Sequence, residues 1–239
     1  MDFRHVHIYS NAAVDVRSMA DKIKKIFPKC RVQFNRPLQY NDTIENARIY
    51  DLKHPFEEQS RSLTPTEGLM PLYDGFVLQR IFAEKIPDEE SWSSHVHIVL
   101  TDLLTCTFSE DDWRYHGRAV ICGSPSIIST TGIIEAPAKP REFYLAQLGG
   151  ISDLARLKKE FAGRFIDYDD PKITDAAVVY ALQALFFFVS EGQPFCSNKK
   201  CFLYNAHWQE ELLYMIENKT LCDNHRKMAN KFNMNIGSL

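Results

Sequence analysis

Glycine is scarce in this chain, ten residues in 239. No Gly-rich phosphate loop occurs. The GSPS stretch at Gly123 lacks the flanking glycine of a nucleophile elbow. Positive charge is not concentrated either. Lys and Arg total 28 against 31 Asp and Glu, for a formal charge of -3, and no long basic run exists. A nucleic-acid partner is therefore not expected. Long apolar runs are also lacking. The longest, around Ala176 to Val189, is interrupted by Gln183 and reads as too short to span a bilayer. The first ten residues, MDFRHVHIYS, alternate like a strand and lack the apolar region of a secretory signal. A soluble, cytoplasmic chain with no membrane partner is expected. There is no repeat and no low-complexity linker.

What is present is enough to build a core: 45% hydrophobic and 12% aromatic residues, in a length that suits one large domain or one domain with an appendage. Arg4 to Tyr9 reads as a strand. Val14 to Phe27 reads as an amphipathic helix, with Val16, Met19, Ile23 and Ile26 at helical spacing and Pro28 stopping it. RVQF and ARIYDL are further strand candidates, and Lys53 to Glu67 reads as a surface loop. Gly68 to Lys85 looks helical. HVHIVLTDLL, from His95, is the strongest strand, and RAVICGSPSIISTTGII offers two short ones. Helices are expected over Ile151–Phe165, Ile173–Glu191 and Ala206–Asn218, the second apolar all round and hence buried. Strands mixed with helices, then helices alone, indicate an α/β (α+β) fold with a mixed sheet packed by helices.

Of the six cysteines, Cys30, Cys106 and Cys122 lie in or beside apolar segments and read as buried thiols. The other three crowd the end in CSNKKCFLYNAHWQEELLYMIENKTLCDNHRK. Cys196-x4-Cys201, a helical spacer and Cys222-x2-His225 make two short-spaced ligand pairs, a common zinc format. Three thiolates and one imidazole complete a tetrahedron and leave no place for water, so Cys196, Cys201, Cys222 and His225 are expected to hold one structural zinc. His207 is the substitute ligand should His225 point away. The alternative is three ordinary cysteines and a surface histidine.

The helix before this cluster ends LFFFVSEGQPFC, Leu185 to Cys196. Together, helix and cluster resemble the archaemetzincins, a branch of the metzincin zinc peptidases. That family carries H-E-x-x-H-x-x-G-x-x-H-C, a second cysteine after four residues, a Met-containing turn and a later C-x-x-C pair. The resemblance places Gly192 on the glycine that ends the active-site helix, and Cys196, Cys201 and Cys222 on the first three cysteines. His225 stands where the fourth would be. It implies a zincin-like fold, residues 1–195 as a metzincin-like domain, residues 196–239 as a C-terminal structural-zinc subdomain, and an archaeal origin. The three family histidines fall on Leu185, Val189 and Phe195, the glutamate on Phe186 and the turn methionine on Leu203. Such side chains give a metal no lone pair and cannot take a proton from water. A former active-site helix repacked as core is expected. The protein would then be non-catalytic, with a peptide or protein partner held along the edge strand that a peptidase uses for substrate.

The alternative is a divergent metal-dependent hydrolase using another site. HVHI occurs at His5 and again at His95. In each strand the two histidines share a face, so His5, His7, His95 and His97 meet if the strands are neighbours, with Asp102 as a further candidate. The acidic groups SEDDW and DYDD lack a calcium-loop pattern and read as solvated turns or helix starts.

Overall fold

The structure is a computed structural model describing residues 3–52, 70–91, 94–150 and 153–236. In chain order it contains β1 (His5–Ser10), α1 (Val16–Ile26), β2 (Arg31–Asn35), β3 (Arg48–Ile49), β4 (Leu72–Asp74), α2 (Gly75–Ala83), β5 (His95–Thr101), β6 (Leu104–Ser109), β7 (Arg114–Arg118), β8 (Val120–Ile121) and β9 (Ser126–Ser129). Six helices follow: α3 (Thr130–Glu135), α4 (Arg141–Leu148), α5 (Leu154–Glu160), α6 (Lys172–Val189), α7 (Gln209–Asn218) and α8 (Asp223–Asn235). The main sheet runs β2-β1-β5-β9-β8, parallel throughout except for β8 at the edge. A second sheet, β3-β4-β6-β7, mixes antiparallel and parallel pairs.

Alternation on β1 and β5 assigns the two faces of the main sheet. Val6, Ile8, Val96, Ile98 and Leu100 join the core that contains α1 and α6. Tyr9 and Val99 join a smaller core with Leu78 and Phe82 of α2. The histidines of HVHI share this second face. Eleven consecutive residues of α6, Ala176 to Phe186, are buried, as expected of a helix apolar all round. The whole helix, Lys172–Val189, four residues longer than the run from Ala176, is by length and composition alone apolar enough to cross a bilayer, and 61% of it is buried inside the protein. The same core takes in Leu185 and Phe186 as well as Cys201, Leu203, Leu212, Met215 and Phe232, so apolar packing is continuous across position 195.

Several elements depart from expectation for local reasons. Asp74 caps α2 by accepting from the Phe76 and Val77 backbone N–H groups, so the helix starts at Gly75 and Leu72–Asp74 is left to pair with β6. Phe76, in the first turn of α2, is 57% exposed. ARIYDL contributes only Arg48–Ile49. The β5 strand stops at Thr101, and the chain turns into the β6–β7 hairpin, whose turn contains Asp111 and Asp112. Asp112 is paired there with Arg114 and His116. Ser129 caps α3 through Gly132 N–H at 2.7 Å. The loop expected from Lys53 to Glu67 lies outside the described residues.

Gly132 sits where α3 meets the end of β7. A Cβ there would lie 2.2 Å from the Arg118 carbonyl oxygen, a backbone atom that cannot swing aside. Gly132→Ala should destabilise the protein by about 3 kcal/mol, the upper end of overpacking costs. An unfolding midpoint equal to wild type in a thermal melt would contradict the close approach.

Candidate metal centres

The end of α6 is built from packing. Leu185 and Phe186 are fully buried, and the Phe186 ring meets Phe27 and His225, each at a centroid distance of 5.6 Å. Val189 packs against the same core. Gly192 takes φ +92° and donates its N–H to the Phe187 carbonyl at 2.8 Å, the left-handed ending that glycine permits. Phe195, beyond it, is 47% exposed, and Leu203 is buried. None of the eight histidines is followed by glutamate, so H-E-x-x-H occurs nowhere in the chain.

Behind this helix the four expected ligands converge. Cys196 Sγ lies 3.9 Å from Cys222 Sγ. His225 Nδ1 is 3.1 Å from Cys222 Sγ and 3.6 Å from Cys201 Sγ. All four donor atoms fall within 4.8 Å of one another. Zinc bonds of about 2.3 Å to sulfur and about 2.0–2.1 Å to nitrogen place tetrahedral donors about 3.5–3.8 Å apart, so the set is close to a ready cage. Two turns shape it. Asn198 N–H points at Cys196 Sγ and Leu203 N–H at Cys201 Sγ, each from two residues on, at 3.4 and 3.5 Å. Cys222 caps α8 and donates its N–H to Cys201 Sγ at 3.4 Å. Such donors favour thiolate. Burial pushes the Cys201 thiol up to about 12. At Cys222 burial is outweighed by hydrogen bonds, among them the backbone N–H groups of His225 and Asn224, and its thiol lies below the ordinary value. His207 is not part of the cluster. Cys30 and Cys106 are buried thiols, as expected, and burial raises them to about 12 and 11.

The histidine strands are neighbours. β1 and β5 pair in parallel with His5 opposite His95 and His7 opposite His97. The rings stack at 4.5 Å for the first pair and 4.6 Å for the second. His7 Nε2 contacts His95 Nδ1 at 2.8 Å, and Asn35 Nδ2 approaches His7 Nδ1 at 3.5 Å. His97 Nε2 reaches the Glu90 carbonyl at 2.8 Å, while Tyr9 hydroxyl faces His97 Nδ1 at 3.2 Å. Donor atoms of His7, Glu90 and His97 lie within 4.8 Å of one another. Asp102 is elsewhere, its carbonyl accepting from Thr131 Oγ1 at the turn after β5. Glu90 carries no sequence signal. It stands in a polar stretch and reaches the site only because the short turn Asp88–Glu90 precedes β5.

Burial, then the neighbouring imidazoles, lowers His7 from 6.5 to about 4, and burial lowers His95 and His97. Unfolding returns them to the ordinary range, where they take up protons. Their contribution is therefore complete above about pH 6.5 and is lost as pH falls toward 4. The urea midpoint of ion-free protein should decline through that window, and His7→Gln should flatten the decline. A flat wild-type profile would contradict it.

A third feature is a groove of about 260 Å³ running from His116 to Val120 along the edge of the strands. Its other wall carries Tyr180 and Gln183 of α6, Phe195 and His207.

Over residues 2–232 the sequence matches the family described as "Probable metallopeptidase family (DUF6775)". The chain belongs to this family. No curated protein and no solved structure matches it. A metallopeptidase family implies a metal ion, and the described residues offer two candidate clusters for one. The thiolate-rich cluster has four protein donors, the closed set of structural sites.

Proposed function

We propose that this metallopeptidase-family chain is a non-catalytic relative of the archaemetzincins. A structural zinc on Cys196, Cys201, Cys222 and His225 fastens the last helices to a zincin-like domain. The observation that carries the reading is the packing of Phe186. The position the resemblance gives to the catalytic glutamate is a ring held between Phe27 and His225 in the core. The histidine positions are apolar as well. The role proposed is peptide binding. The groove at the antiparallel edge strand β8, walled by α6 and Phe195, suits an extended segment that adds main-chain hydrogen bonds to the edge. The hydrolase alternative, working from His5, His7, His95 and His97, has less support because His7 and His97 are 1% and 0% exposed.

The test is to incubate zinc-loaded protein with a degenerate peptide library and follow cleavage by mass spectrometry and retention by pull-down. No cleavage, with retention weakened by Phe195→Asp at the exposed groove wall, is expected. Cleavage abolished by chelation would overturn the non-catalytic reading. Retention equal in the variant would remove the groove from it.

A further inference from the structure

We propose that His7, His97 and Glu90 bind a second divalent transition ion, distinct from the one held by the thiolate cluster. Donors and acceptors around the two rings fix their tautomers. The Glu90 carbonyl can only accept, so His97 Nε2 carries the hydrogen of their 2.8 Å contact and Nδ1 keeps a lone pair. The Asn35 NH₂ group can only donate, so His7 Nδ1 also presents a lone pair, and its Nε2–H goes to His95 Nδ1.

Glu90 Oε2 is buried without a hydrogen-bond partner and lies 3.5 Å from His7 Nδ1. Two acceptors thus face each other with no hydrogen between them. A buried acceptor left so costs about 1–3 kcal/mol or more; a cation removes that cost at Glu90 Oε2 and, at His7 Nδ1, takes the place of the long 3.5 Å contact from Asn35.

The surroundings are those of a metal site. Each imidazole has its other N–H tied to a fixed acceptor, which sets tautomer and ring orientation as in metal-binding histidines. Two imidazoles and one carboxylate suit zinc, with cobalt and nickel as close substitutes. Tyr9 hydroxyl, beside His97, stands where a fourth donor or a bound water would be. The site lies on the sheet face opposite α6 and would fasten the turn Asp88–Glu90 to β1 and β5. It leaves the repacked helix untouched.

The experiment is metal counting on the full, tag-free chain after loading with excess cobalt and gel filtration. Two ions per chain are expected in wild type. The thiolate-bound ion shows sulfur-to-cobalt charge-transfer absorption and the second does not. Glu90→Gln keeps the shape of a side chain that is 27% exposed and should lose the second ion, its affinity falling at least about tenfold. The charge-transfer band should stay. Cys222→Ser should do the reverse, so failure of one site is read separately from failure of the other. Should Glu90→Gln not fold, the wild-type titration still decides. A single equivalent, all of it thiolate-bound, overturns the proposal, as does Glu90→Gln retaining both ions at wild-type affinity.

Discussion

Chelating the zinc proposed on Cys196, Cys201, Cys222 and His225 should lower the unfolding midpoint by at least about 10 °C. A structural zinc contributes on the order of 10 kcal/mol of apparent folding free energy, and about 1 kcal/mol moves the midpoint of a chain this size by about 2–4 °C. Half of the full value therefore suffices. The loss has a defined location. Cys201 is fully buried and Leu203, two residues on, lies in the main core. Cys222 and His225 begin α8, whose Phe232 meets Phe3 and Phe27. Without the ion, three thiols and an imidazole are left crowded at the join between α6 and α8. Scanning calorimetry with and without chelator, with zinc returned to restore the transition, measures the effect. Cys222→Ser should reproduce it. Midpoints insensitive to both treatments would exclude a structural ion.

The second large effect is at Phe186. Phe186→Ala should cost about 3–5 kcal/mol, because the cavity opens between Phe27 and His225 where neither ring can collapse. Phe186→Glu, which introduces the residue the archaemetzincin resemblance would place there, should cost more, since it buries a carboxylate with no partner. Midpoints should fall by about 10 °C or more for both, with glutamate the lower. If Phe186→Glu instead melts within about 3 °C of wild type, the position is open to water and the core reading of α6 is wrong.

Both of these regions can be read from the sequence. The meeting of the cysteines is legible because each short spacing closes a local turn, Asn198 N–H on Cys196 Sγ and Leu203 N–H on Cys201 Sγ. The buried helix was legible because an apolar face on every side leaves no other place for it. The β6–β7 hairpin was not, because its strand LTCTFS is short and follows the turn at Asp102 at once. Helix α8 was missed because DNHRKMANKFNMN is mostly polar and buries only His225, Ala229 and Phe232. The start of α2 was misplaced because Asp74 reads equally as helix surface and as cap. For the histidines, each pair was visible but their meeting was not. Parallel partners are set by the crossover between them, and nothing in His5–Ser10 names His95–Thr101. Glu90 needed the tertiary structure altogether.

The HVHI echo has a consequence for how the chain finds its fold. With identical tetrapeptides aligned in parallel, imidazole stands beside imidazole and aliphatic beside aliphatic over the first four pairings, His5–His95 to Ile8–Ile98. A slip of one residue would turn His5 and His7 into the face that packs α1 and α6, and move Val6 and Ile8 to the face that now holds the histidines. A slip of two would keep the faces but leave one histidine of each strand without its neighbour. The repeat thus favours one alignment of the pair: a slip of one puts imidazoles into the aliphatic core, and a slip of two parts the histidine stack.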